Sequence, residues 1–140
     1  MVFGKFTNSM DANGRVIFPA DFRKEMGEKI YITKGLFNHC LCAYSETEWR
    51  RICDNLKNYP ESKVSQVKAW LYGSLMTAVP DKQGRFFISG ELIKHANLSR
   101  DVIFVGMDSR VDIWDAGSYA DMYNNLNFQE IADVLTEIGF

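Results

Sequence analysis

The chain has 140 residues, about the length of one domain, and 46% of them are hydrophobic, which argues against an intrinsically disordered protein. Its formal net charge is -2, and no apolar run approaches the roughly 20 residues that a bilayer-spanning helix needs. With an N-terminus too polar for a signal peptide, these values predict a soluble cytoplasmic protein. The acidic excess lies after residue 102, so a basic face elsewhere remains possible.

The first predicted elements are two strands joined by a turn in MDANGRVIFP, at positions 10–19. Asp11 can accept hydrogen bonds from amides two or three residues later, and Gly14 can adopt a positive φ at low steric cost. A short helix with Pro19 at its first position follows, and Gly27 ends it. Two apolar strands, KIYIT and CLCAY, come next.

An amphipathic helix closes this first unit. It opens with SETE, in which Ser45 and Glu48 can form a capping box, and its apolar residues from Trp49 to Leu56 recur at helical spacing. Another helix is predicted over residues 62–72. It connects the first unit to the rest of the chain.

The same pattern then returns 70 residues later. Asp81, Gly84 and Arg85 repeat Asp11, Gly14 and Arg15, and the strands DVIFV and RVDIW repeat the two apolar strands. The last segment, FQEIADVLTEIGF, is predicted to form a helix that folds back, because its apolar residues recur at helical spacing. The fold class is therefore α+β, mainly β, with flanking helices.

Neither repeat alone can bury much surface, so two halves are expected to interlock their strands into one closed barrel. We predict one domain over residues 1–140 with the following parts: a first repeat at 1–59, a connecting helix at 60–72, a second repeat at 73–126 and a C-terminal helix at 127–140.

The arginine after each turn is not required by the turn itself. A guanidinium leaving a rigid turn suits phosphate oxygens, or the O6 and N7 atoms of guanine. The alternative is that Arg15 and Arg85 each form a salt bridge with the aspartate four residues earlier and only pin the hairpin. Two copies on a symmetric body favour the first interpretation.

The cysteines and histidines form no recognised chemical motif. Cys40 and Cys42 would share one face of a strand, with Leu41 on the other. Two cysteines beside one histidine fall short of a zinc site, so buried apolar thiols are expected, with a metal or redox role as the alternative. His39 and His95 have no catalytic motif around them. The sequence therefore predicts neither an enzyme nor a cofactor, a metal or a small-molecule substrate.

The whole chain resembles the MraZ family. The resemblance rests on DANGRVIFPADFR at 11–23, YSETEW at 44–49, DKQGR at 81–85 and IWD at 113–115. It implies a double-split β-barrel built from two AbrB-like half-barrels. The chain departs from the usual family pattern at Asn13, where lysine is common, and at Ser89-Gly90, where proline is common; the second change leaves the following helix start less constrained.

The resemblance also implies a function. Family members are DNA-binding transcriptional regulators of the division and cell-wall gene cluster; they bind short G-rich direct repeats in promoter DNA and assemble into rings. Such a protein would be cytoplasmic and nucleoid-associated. An antitoxin-like or protein-interaction module without sequence-specific DNA binding is the alternative. The candidate DNA-contact residues are Arg15, Arg85, Asn13, Lys82 and Lys5.

Overall fold

A computed structural model describes all residues from 1 to 140 as eight strands and six helices. The strands are β1 (Lys5–Ser9), β2 (Arg15–Ile17), β3 (Ile30–Lys34), β4 (Leu41–Ser45), β5 (Met76–Ala78), β6 (Arg85–Phe87), β7 (Asp101–Gly106) and β8 (Val111–Asp115). The helices are α1 (Ala20–Met26), α2 (Glu46–Leu56), α3 (Glu61–Leu71), α4 (Gly90–Ala96), α5 (Ala116–Asn124) and α6 (Phe128–Glu137). The predicted fold class, α+β and mainly β with flanking helices, is confirmed, and the strands pair in antiparallel sheets.

The two repeats exchange strands throughout the structure. Six strands form one antiparallel sheet in the order β1-β7-β8-β4-β3-β5, and β2 pairs with β6 in a separate two-stranded ribbon. In both sheets, strands of the first repeat pair directly with strands of the second: β1 with β7, β3 with β5, β4 with β8 and β2 with β6. Because every sheet contains both repeats, neither repeat can complete its strand pairing alone.

The main core lies between the ribbon and the six-stranded sheet. The central pair of the ribbon, Val16 opposite Phe86, turns inward. The ring of Phe18 packs edge-on against Phe86 and Phe104, with centroids 5.7 and 5.3 Å away. Inward-facing aromatic residues from both repeats thus fix the ribbon on the body, and its outer face stays exposed.

The helix starts depart from expectation in small ways. Pro19 is the residue before α1 and not its first helical residue. Ser45 caps α2 by accepting the N–H of Glu48 at 3.2 Å, but the Glu48 carboxylate pairs with Arg51, so only half of the capping box forms. At α4 the Ser89 hydroxyl accepts the N–H of Leu92 at 3.3 Å. The serine cap therefore fixes the helix start that was expected to be less constrained.

The prediction that the C-terminal helix folds back is wrong. No residue of α6 is buried: Ile131 and Leu135 are partly exposed, Val134 is 56% exposed, and Ile138, just after the helix, is 72% exposed. The small apolar cluster around Trp114 packs against Tyr119 and Met122 of α5 and includes no residue of α6. None of the six helices has the length and apolar character needed to cross a membrane.

Candidate nucleic-acid interface

The first Asp-x-x-Gly-Arg segment forms a tight turn between β1 and β2. Asp11 Oδ1 accepts the backbone N–H groups of Asn13 and Arg15, both at 2.9 Å. Gly14 has φ of 83°, in the left-handed region that favours glycine. The N–H of Arg15 is the main cause of a lowered pKa at Asp11, so this carboxylate holds the turn in its charged form.

The second turn repeats this geometry and adds one contact. Asp81 Oδ1 accepts the N–H groups of Gln83 at 3.0 Å and Arg85 at 2.9 Å, and Gly84 has φ of 86°. In addition, Arg85 Nε donates to Asp81 Oδ2 at 3.0 Å. The pKa of Asp81 is lowered, chiefly by the backbone N–H of Arg85 and then by its side chain.

The ribbon brings both arginines to one surface. Arg15 lies opposite Phe87 and Ile17 opposite Arg85, on either side of the inward pair. Since side chains alternate along a strand, these four residues project outward together. Arg15, Asp81, Arg85 and Phe87 line a shallow groove of about 330 Å³. We call this outer face of β2 and β6, with its two turns, the arginine face.

The side chains of the two arginines differ in whether they form an ion pair. The salt-bridge alternative describes Arg85, whose side chain is paired with Asp81 yet still 58% exposed. It is wrong for Arg15: that exposed residue meets Asp11 only through its backbone N–H, and its guanidinium has no hydrogen bond or ion pair within the chain. The guanidinium of Arg15 is thus unpaired, whereas that of Arg85 is paired with Asp81.

The remaining candidates fall into two groups. Asn13 and Lys82 are exposed on the turns, as expected. Lys5 is not brought to them: it starts β1, at the end of that strand away from the turn, and its ammonium lies 5.2 Å from the ring centre of Tyr119 and 5.8 Å from that of Tyr123. Its position at the far end of β1, with its ammonium beside α5, argues against Lys5 as part of the arginine face.

Arg23 of α1 lies beside the second turn, although it was not among the predicted site residues. Its guanidinium packs so closely on the second turn that a Cβ at Gly84 would lie 2.9 Å from it, and its Nε donates to the carbonyl of Phe18 at 3.2 Å. With Lys24 and Lys82, it lines a groove of about 720 Å³ beside that turn. The repeat contained a signal, because the matching position in the second copy is Ile93, which packs on Gly14.

The buried cysteines lie apart from the arginine face. Cys40 and Cys42 are buried, whereas Leu41 belongs to the main core, so the predicted alternation is confirmed. Their surroundings are not purely apolar, because Cys42 Sγ lies 3.5 Å from Asp112 Oδ1. The hydrogen bond with Cys42, together with burial, strongly raises the pKa of the Cys40 thiol.

Comparison with known proteins agrees with the two-repeat architecture. The model of a family described as "MraZ protein, putative antitoxin-like" matches residues 1–68 and 76–137. A protein named transcriptional regulator MraZ from Thermoanaerobacter sp. (strain X514) is 41% identical over 144 residues, covering 99% of both chains. Proteins of the same name from Caldanaerobacter subterraneus subsp. tengcongensis and Lachnoclostridium phytofermentans are 41% and 37% identical, covering 96% and 99% of this chain and 96% and 98% of their own. The chain belongs to the MraZ family.

Proposed function

We propose that this protein is a cytoplasmic, nucleoid-associated transcriptional regulator that binds double-stranded DNA through the arginine face and has no catalytic role. Its targets would be short G-rich direct repeats in the promoter of the division and cell-wall gene cluster. Arg15 and Arg85 would contact guanine, while Asn13 and Lys82 would contact the flanking backbone. The names of the relatives, which are transcriptional regulators, support this assignment.

The observation that carries the proposal is the shared placement of two arginines from the two repeats. Each follows a turn fixed by an aspartate and a glycine, and both line one groove. A guanidinium on a rigid turn is pre-organised for the O6 and N7 atoms of guanine. The two-stranded ribbon is also of the kind that the major groove of DNA admits.

We further propose that several copies assemble into a ring. The cationic surface of one chain is small and its net charge is -2, so affinity must come from linked contacts. The exposed apolar side of α6 supports assembly, because a ten-residue helix is marginal in water without a partner. Repeats spaced by about 10 bp would then place each arginine face on the same side of the duplex.

A protein-interaction or antitoxin-like role is the second candidate. The same exposed helix and the residues after it favour this role, since Phe128 of α6 is 79% exposed and Ile138 and Phe140 beyond it are 72% and 95% exposed. The acidic side chains of α6, Glu130, Asp133 and Glu137, would suit a basic partner. In that case α6 and not the arginine face would dominate function.

Gel-shift titration with the DNA upstream of the protein's own gene separates the two candidates. Wild type should bind this DNA in preference to unrelated duplex, and binding should fall steeply with salt as several subunits release counterions. Arg15→Ala and Arg85→Ala should each lose about 1–3 kcal/mol of specific binding. Changing the spacing of two repeats by about half a helical turn should also weaken binding.

Arg50→Ala is the matched control, because this arginine is exposed on α2 and pairs only with Glu46. It removes one positive charge without touching the arginine face, and it should bind as wild type does. Wild-type affinity in both arginine-face variants would refute the proposed interface. Normal DNA binding by a chain lacking α6 but monomeric in light scattering would refute the ring.

A further inference from the structure

A buried cluster of donor atoms lies where the central strands of the two repeats meet. Cys42 of β4 is directly opposite Asp112 of β8, and the two occupy the same position of the repeat, 70 residues apart. Cys40 adds a second thiol from the same side of the chain. The two sulfurs and a carboxylate oxygen lie within 4.8 Å of one another, and all three residues are buried.

Charge in this cluster is partly balanced by Arg110, the repeat counterpart of Cys40. Its Nε donates to Asp112 Oδ1 at 2.8 Å. With both thiols protonated, the carboxylate and the guanidinium neutralise each other. With both thiols ionised, the four residues would carry two net negative charges, which a buried site does not tolerate unpaired. A divalent cation would restore neutrality.

We propose that Cys40, Cys42 and Asp112 form a binding site for a thiophilic divalent cation of the Zn²⁺ type. Two thiolates and a carboxylate are donors that Zn²⁺ accepts. Zinc–sulfur bonds of about 2.3 Å place two sulfurs of a tetrahedral site about 3.8 Å apart. Donor atoms that lie within 4.8 Å therefore need to approach by only about 1 Å. The site could not be recognised from sequence spacing, because its third ligand, Asp112, comes from the other repeat.

One of the three proposed ligand residues borders an open groove. Cys42 and Tyr44 line an open groove of about 400 Å³ between the β3–β4 hairpin and helices α2 and α3. This groove would be the route by which a cation reaches Cys42, and a water molecule would complete the tetrahedron, as in zinc sites with three protein ligands. Bound metal would link β4 to β8 and thereby tie the two repeats together.

Cadmium titration of the full chain, first freed of metal with a chelator, tests the site. Thiolate-to-metal absorption in the ultraviolet should saturate at one Cd²⁺ per chain, and Zn²⁺ should compete for it. Cys40→Ser and Cys42→Ser should each weaken binding at least tenfold, and Asp112→Asn should weaken it less. Cys53→Ser, which removes the half-exposed thiol of α2, is the control and should bind as wild type does.

Absence of the absorption band in wild type would overturn the proposal, as would its loss in Cys53→Ser alone. A second measurement uses only the wild-type chain, so it does not depend on whether the variants fold. X-ray absorption of the zinc-loaded wild type should show two sulfur neighbours at about 2.3 Å and oxygen in the remaining positions. A zinc ion surrounded only by oxygen and nitrogen would contradict the site.

Discussion

The two turns of the arginine face have the same backbone and different side-chain surroundings. In both, an aspartate accepts two backbone N–H groups and a glycine adopts positive φ. The first turn is covered by Ile93 and leaves the Arg15 guanidinium free. The second is covered by Arg23, and its Arg85 is bound to Asp81.

This difference shows that the backbone of a duplicated turn can stay the same while the role of its arginine side chain differs between the copies. The backbone hydrogen bonds build the turn, and they are the same in both copies. The side chain of the final arginine is then free or restrained, depending on whether it pairs with the aspartate of its own turn. We therefore expect Arg15 to engage DNA without rearrangement, whereas Arg85 must first leave Asp81. An exposed ion pair of this kind holds the arginine only weakly.

Adding a methyl group to each turn glycine should have the largest effect. A Cβ at Gly14 would lie 3.1 Å from the carbonyl oxygen of Ile88, which is backbone and cannot move aside. At Gly84 it would meet the end of the flexible Arg23 side chain. Both variants also force alanine into the left-handed region.

We expect Gly14→Ala to lower the free energy of unfolding by about 2–3 kcal/mol and Gly84→Ala by about 1–2 kcal/mol. Urea unfolding of both variants measures the two losses directly. Equal losses would show that the Ile88 carbonyl and the Arg23 side chain resist the added methyl group equally, contrary to the expected difference.

Replacing each turn aspartate by asparagine should have a smaller effect, on DNA affinity. Asp81→Asn removes the partner of Arg85 while keeping an oxygen that can accept the backbone N–H groups. Releasing that arginine should raise DNA affinity about two- to fivefold. Asp11→Asn should raise it less, because Arg15 is already free. Fluorescence anisotropy at one fixed salt concentration measures the DNA affinity of both variants. Identical increases in affinity would contradict the claim that the ion pair with Asp81 restrains Arg85.

The smallest expected effect is on acid stability. Asp11 and Asp81 have lowered pKa values in the folded chain, so their stabilising effect is complete above the ordinary aspartate pKa of about 3.9. It is lost as the pH falls below that value and through the lowered folded pKa. Because Arg85 contributes a further contact, Asp81→Asn should flatten the acid limb of the stability curve more than Asp11→Asn. Urea unfolding at a series of acidic pH values gives this comparison.

Local elements of the fold were predictable because short-range chemistry determines them. Asp11, Gly14 and their copies specify the turns, and Ser45 specifies a helix start. The pairing of β4 with β8 was not predictable, since it joins residues 70 positions apart. The meeting of Cys42 with Asp112 depends on that pairing and was missed with it.

The sites were only partly predictable for the same reason. Identical motifs gave no sign that Arg85 is paired and Arg15 free, because the difference lies in side-chain contacts. Periodicity identified α6 as amphipathic, but an apolar face alone does not show which surface of the chain, if any, it packs against. Lys5 lies at the end of β1 away from the turn, and the motif gave no sign of that position.

A cycle combining Arg15→Ala with DNA in which 7-deazaguanine replaces guanine tests base reading by the arginine face most directly. The modified base lacks the N7 acceptor and leaves the phosphates unchanged. At fixed salt, wild type should lose about 1–3 kcal/mol of binding on the modified repeat, whereas Arg15→Ala should lose little further affinity. If the modified base costs Arg15→Ala as much as wild type, or costs wild type nothing, Arg15 does not read guanine through N7.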